Sequence, residues 1–212
     1  MTPTLAEVIT QPQSGRTRAV VLDFHEYAQS VILQGRDVPW QQPTAYSNFF
    51  GQAQGLLKPD GALLDLGTLY ANAVATNDGL RASLSARSRT GYALKTLLAN
   101  ETTATMALEL ATVVSQTSAA PLVLQIPSPM LWLALTHELS GAGTVADLTI
   151  DDAENAAMHV AVWLRKMSML PVSMLLLDGR STGSAPMPVV DSLASPRVTQ
   201  VHHHTPREPG RR

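Results

Sequence analysis

Pro121-Leu122-Val123-Leu124-Gln125-Ile126-Pro127-Ser128-Pro129-Met130 runs without a break into Leu131-Trp132-Leu133-Ala134-Leu135-Thr136-His137-Glu138-Leu139. Its first half is a short apolar run closed by prolines, the composition of a strand buried on both faces. In the second half Ser128 suits the N-cap of a helix and Pro129 its first position, where a missing N–H costs nothing. A strand that turns directly into a helix is the repeating unit of a parallel α/β sheet. The fold therefore depends on whether the unit recurs.

It does. Arg18–Phe24 is a β-branched run ending in Asp23, and His25 to Leu33 follows with apolar residues at helical spacing. Gly35 to Pro43 breaks that segment, with Trp40, Phe49 and Phe50 expected to anchor it to the core. Lys58-Pro59-Asp60-Gly61 is a turn, and Ala62–Gly67 a second run with an acid, Asp65, near its end. Leu84, Leu94, Leu97, Leu98, Met106, Leu110, Val113 and Val114 recur in three- and four-residue steps, predicting helix over most of 80–116, divided at Gly91 and Asn100. Asp151 and Glu154 have the spacing of a capping box and open a helix to about Met169. Pro171 ends it, and Val172–Leu177 is a fourth strand that leaves through Asp178-Gly179-Arg180. Thr144–Ile150 is a candidate fifth.

Strands alternating with helices predict the α/β class with parallel pairing. Four or five strands are too few for a closed eight-stranded barrel of about 250 residues. An open sheet or a partial (β/α) barrel remains. The chain divides into a loose N-terminal arm over 1–17, a single domain over 18–190, and a disordered Pro-, Arg- and His-rich tail over 191–212.

Composition narrows the function. Of 212 residues 45% are hydrophobic and 15% charged, the net charge is −2, and there is no cysteine. The near-neutral balance offers no footprint for nucleic acid or an anionic membrane. Absence of cysteine excludes disulfides, thiolate metal sites and cysteine nucleophiles. The N-terminus lacks a basic stretch followed by an apolar one, and no apolar run reaches the roughly 18 residues of a membrane span, so a cytoplasmic protein is expected. The apolar balance suggests a homo-oligomer or a subunit of a larger complex.

Ligands of parallel sheets gather at the strands' carboxyl ends, so polar residues there are the candidates. Asp23, Asp65 and Asp178 each close a strand. They are oxygen ligands in the right place for a divalent cation, but aspartate is also a common turn and cap residue, and no metal site is assigned. Asp178, with Arg180 close by to hold an anion, is the preferred catalytic acid, and His25 the preferred general base. The Ser128–Met130 corner could present helix N–H groups to a ligand, which makes Ser128, Met130 and Arg180 ligand-binding candidates. His25-Glu26 and His137-Glu138 lack the second histidine of a zinc protease motif. His159 reads as a packed helix residue, and His202, His203 and His204 as part of the tail. Arg81, Arg87, Arg89 and Lys95 form the single basic cluster, and Met158, Met167, Met169 and Met174 a methionine-rich stretch.

Over residues 92–180, Pro121–Leu133 resembles the strand and helix corner of the barrel superfamily that includes cobalamin-independent methionine synthase and uroporphyrinogen decarboxylase. Ser128 stands where that family usually has glycine, and no cysteine is present for the zinc of its methyl-transfer branch. The resemblance implies a truncated or diverged member with Asp178 and Ser128–Met130 at the mouth. Together these features lead us to expect a small-molecule-binding protein, with transferase or lyase chemistry on a small anionic metabolite as the expected activity and a non-catalytic accessory subunit as the alternative. No cofactor is indicated.

Overall fold

The structure, a computed structural model, describes residues 4–141, 143–179 and 197–200. The elements in chain order are α1 (Leu5–Thr10), β1 (Val20–Asp23), α2 (His25–Val31), α3 (Pro43–Leu57), β2 (Ala62–Asp65), α4 (Leu66–Thr76), α5 (Asp78–Leu84), α6 (Tyr92–Leu98), α7 (Glu101–Thr117), β3 (Leu122–Pro127), α8 (Pro129–Ser140), α9 (Ile150–Leu164), β4 (Val172–Asp178) and β5 (Arg197–Gln200). Strands β2, β3 and β4 form a parallel sheet in that order. A parallel bridge between Val21 and Gly61 sets β1 beside β2, and β5 pairs antiparallel with β1. The class is α/β.

The two faces of the sheet differ. Leu22, Ala62, Leu64, Leu122, Leu124 and Ile126 join one large core with buried residues of the helices α2 to α9. Val21, Leu63 and Val123, one residue out of step, form a separate cluster on the opposite face, with Met174 and Leu176 packed against it. Helices thus pack on one side of the strands, and each βαβ crossover keeps the same hand.

Inside the helical layer Tyr70, Trp132 and Trp163 meet edge to face, with ring centroids 5.5–5.6 Å apart. Trp163 Nε1 donates to the Tyr70 hydroxyl at 2.7 Å, so these two buried polar atoms satisfy each other. The triad ties α4, from the β2–β3 crossover, to α8 and α9, both from the β3–β4 crossover.

Several sequence expectations change in detail. Gly91 and Asn100 do divide the 80–116 helix: Gly91 takes a left-handed φ of 77°, and the Asn100 side chain caps α7 through the N–H of Thr103 at 2.9 Å. The capping box of α9 is made by Thr149 and Asp152, two residues upstream of the pair Asp151 and Glu154, because a threonine hydroxyl serves there with an acid three residues on. Thr144–Ile150 is a short 3₁₀ turn and coil and not a fifth strand. The segment read as a loose arm carries α1, and it is tied down by Asp60. That buried carboxylate accepts from Ser14 N at 3.1 Å, Ser14 Oγ at 2.9 Å and Val20 N at 2.9 Å. Arg16 adds a bond from Nη1 to the Lys58 carbonyl at 2.7 Å, one of the open carbonyls at the end of α3. Within the tail expected to be disordered over 191–212, Arg197–Gln200 form β5, held by ladder pairing to β1, and the rest of it and Arg180 lie outside the described residues.

Among the described residues, no helix is long and apolar enough to cross a membrane.

Candidate functional site at the strand carboxyl ends

Side chains of a strand alternate, so Asp23, Asp65 and Gln125 lie on the same face as Val21, Leu63 and Val123, one step nearer the carboxyl ends. The apolar layer thus gives way to a polar one, as expected of a ligand-facing strand end. Asp65 and Gln125 are direct register partners on β2 and β3.

Asp65 is the N-cap of α4. Its carboxylate accepts from Thr68 N at 3.2 Å and from Thr68 Oγ1 at 2.6 Å. Burial raises its pKa above the ordinary value against the opposing pull of the Thr68 hydroxyl, and the charge of Asp23 pushes in the same direction. A carboxyl held in that way keeps its proton to higher pH than an exposed one. Gln125 is 4% exposed, and among the described residues its Oε1 has no hydrogen-bond partner. Such an orphaned acceptor costs about 1–3 kcal/mol unless something donates to it.

His25 sits in an aromatic enclosure of Phe24, Trp40, Tyr46, Phe49 and Phe50, with its ring stacked 5.2 Å from Trp40. Its Nδ1 is 3.3 Å from Asp23 Oδ1, and its Nε2 is 2.7 Å from the Tyr46 hydroxyl. A carboxylate only accepts, so neutral His25 carries its proton on Nδ1, and Nε2 accepts from Tyr46. Burial, then the charges of Asp65 and Asp23, hold the Tyr46 phenol well above its ordinary pKa, which keeps that donor protonated. The result is a line Tyr46–His25–Asp23, parallel in layout to the base-and-orienter pairs of acid–base enzymes.

Close packing fixes this corner. A Cβ on Gly67, in the first turn of α4, would lie 2.8 Å from Pro127 Cδ and 3.1 Å from Asp65 Oδ1. Only glycine lets β2's exit pass the end of β3. Gly67→Ala is therefore expected to cost about 1–3 kcal/mol, read as a lower urea midpoint at unchanged m-value; a neutral result would show that Pro127 is free to move.

The Ser128 corner forms as its sequence predicts. Ser128 Oγ accepts from Leu131 N at 3.3 Å, and Ser128 N donates to the Asp178 carbonyl at 2.7 Å. The hydroxyl thus caps its own helix and the backbone is spent on β4. Met130 is 37% exposed beside it. Asp178 closes β4 in register with Pro127. His25 and Asp178, the predicted catalytic pair, are not brought together: they stand on β1's and β4's exits, three strand spacings or about 14 Å apart along the sheet. His25 is joined instead by Asp23, Tyr46 and Asp65. Ser128 and Asp178 share the other end. Arg180 lies outside the described residues, and among those residues no three His, Asp or Glu side chains gather so as to hold a metal ion.

No family model, characterised protein or solved structure matches this chain.

Two members of the cluster were missed in the sequence. Gln125 was on view as the one polar residue inside Leu122–Pro127. Tyr46 gave no signal, since it reaches His25 from a helix 21 residues away.

Proposed function

We propose that this chain is an α/β small-molecule-binding protein whose ligand sits against the carboxyl ends of β1, β2 and β3. The observation that carries this reading is the unpaired, buried acceptor of Gln125 beside a buried Asp65 whose pKa is raised. Acceptors line this face, so the ligand it suits is a polar metabolite bearing hydroxyl or amino donors. An anionic group on that metabolite would fall to the Ser128 end of the sheet, beside the N-terminus of α8. Asp65 is then the group that takes or gives a proton, and the Asp23 charge at the end of the Tyr46–His25–Asp23 line favours its protonated form. Lyase or transferase chemistry fits such a carboxyl, which needs no metal to move a proton.

We also read the sheet as a segment of a (β/α) barrel. Strand order following chain order with helices on one face supports this, and it agrees with the methionine synthase and uroporphyrinogen decarboxylase likeness. A cytoplasmic location is part of the same proposal.

The test is a thermal-shift panel of metabolites on the wild type, Asp65→Asn and Gln125→Leu. A stabilising ligand raises the wild-type midpoint by mass action and loses its effect in both variants. Ligands that shift all three proteins equally would sink the reading. Asp65→Asn has a second expected effect. A carboxyl whose folded pKa is raised favours the folded state only while protonated, so its contribution is lost as pH rises through the folded value. Asparagine keeps the cap. The variant is therefore expected to be more stable than the wild type at pH 7, by about 0.5–2 kcal/mol. The difference should close below the ordinary carboxyl value of 3.8.

A second reading, an accessory subunit, is favoured by one surface. Met158 and Val162 on α9 are 60% and 58% exposed, and Leu177 on β4 51%. Light-scattering mass at micromolar concentration tests it: a monomer with no partner argues against this reading.

A further inference from the structure

The α5–α6 connection, α6 and the first half of α9 border a groove of about 930 Å³ that shares no residue with the strand-end site. Arg87, Arg89 and Lys95 line it, all exposed. Two acids also line it, but both are turned elsewhere. Glu101 accepts from Lys166 Nζ at 2.8 Å, and the Asp152 carboxylate accepts from Thr149 N at 3.0 Å and Thr149 Oγ1 at 2.7 Å. Among the described residues, no carboxylate forms an ion pair with any of the three cations. In a chain of net charge −2, this is a local excess of positive charge over a concave surface.

The groove's floor has a recognisable chemistry. The Arg87 guanidinium lies 5.4 Å from the centre of the Tyr92 ring, which holds it over the groove without neutralising it. His159 of α9 lines the same space, and its pKa is lowered by burial and then by the charge of Lys95. Asn155, one turn before His159 on α9, adds an amide. Guanidinium forks and an ammonium around a volume at the upper end of ligand pockets suit phosphate oxygens on a molecule of nucleotide size.

We propose that this groove binds a phosphorylated small molecule of about nucleotide size, with Arg87, Arg89 and Lys95 holding its phosphates. The site is separate from the strand-end one, and either can fail without the other.

The test uses the full chain with three probes: ATP, inorganic pyrophosphate and adenosine. Calorimetric titration is run at low and at moderate salt, on the wild type and on Arg89→Gln/Lys95→Gln. These side chains are exposed, so the variant is expected to fold, and circular dichroism checks that it does. ATP and pyrophosphate are expected to bind and adenosine not to. The double variant should weaken ATP at least about tenfold, and added salt should weaken wild-type binding more than variant binding. The proposal is overturned by ATP and pyrophosphate both failing to bind at millimolar concentration. Equal affinity in wild type and variant overturns it too, as does a single-stranded RNA or an acidic peptide that binds while ATP does not.

Discussion

Trp163→Ala is expected to destabilise the protein by about 3–5 kcal/mol, among the largest effects of any single substitution in it. The side chain is 1% exposed and touches two other large rings at right angles, so truncation opens a cavity that Tyr70 and Trp132, themselves packed, cannot fill. It also removes the Nε1–H that the Tyr70 hydroxyl accepts at 2.7 Å. Tyr70→Phe separates the two contributions, since it keeps the ring and leaves the buried Trp163 Nε1–H without its acceptor, and should cost about 1–3 kcal/mol. For a chain of this size the larger loss lowers the midpoint of thermal unfolding by on the order of 10 °C. A loss below about 1 kcal/mol for Trp163→Ala would mean that α9 does not hold the helical layer together.

Tyr46→Ala should be of similar size, about 3–5 kcal/mol, for a different reason. Tyr46 is fully buried and stacks on Trp40 at 5.0 Å. Among the described residues, its hydroxyl is the one hydrogen-bond partner of His25 Nε2. Tyr46→Phe keeps the packing and strands the imidazole nitrogen, so about 1–3 kcal/mol of the loss should remain. A double-mutant cycle with His25→Leu measures the bond itself, and coupling of about 0.5–3 kcal/mol is expected. Additive effects would show that Tyr46 and His25 act independently, and the line from Tyr46 to Asp23 would lose its meaning. Both results can be read from urea unfolding at constant m-value.

What the sequence made legible was whatever is encoded locally. The strand at Leu122–Pro127 and the helix after Ser128 are decided by apolar runs, prolines and a capping serine, all within ten residues of one another. Gly91 and Asn100 divide the long helical stretch for equally local reasons, a left-handed φ and a side-chain cap. Thr149 was overlooked in favour of Asp151 because two overlapping capping signals stood side by side and only the folded geometry chooses between them. The candidate site was harder. His25 was visible as a histidine after a strand, but its surroundings come from α3, and no local pattern announces that Tyr46 reaches back to it. The pairing of His25 with Asp178 failed because strand order, not sequence proximity, sets which ends are neighbours. Gln125 shows the reverse case, a signal present in the opening stretch as one polar residue among apolar ones, whose meaning depends on Asp65 lying in register beside it.

The most direct test of the central claim is nuclear magnetic resonance of the selectively labelled full chain during titration with the best-stabilising unphosphorylated metabolite. It would follow the Asp65 side-chain carbon, the Gln125 amide protons and the His159 ring. The account predicts that Asp65 and Gln125 shift together and saturate with one affinity while His159 stays still. Shifts centred on His159 and the Arg87–Lys95 groove, with Asp65 and Gln125 unmoved, would contradict it.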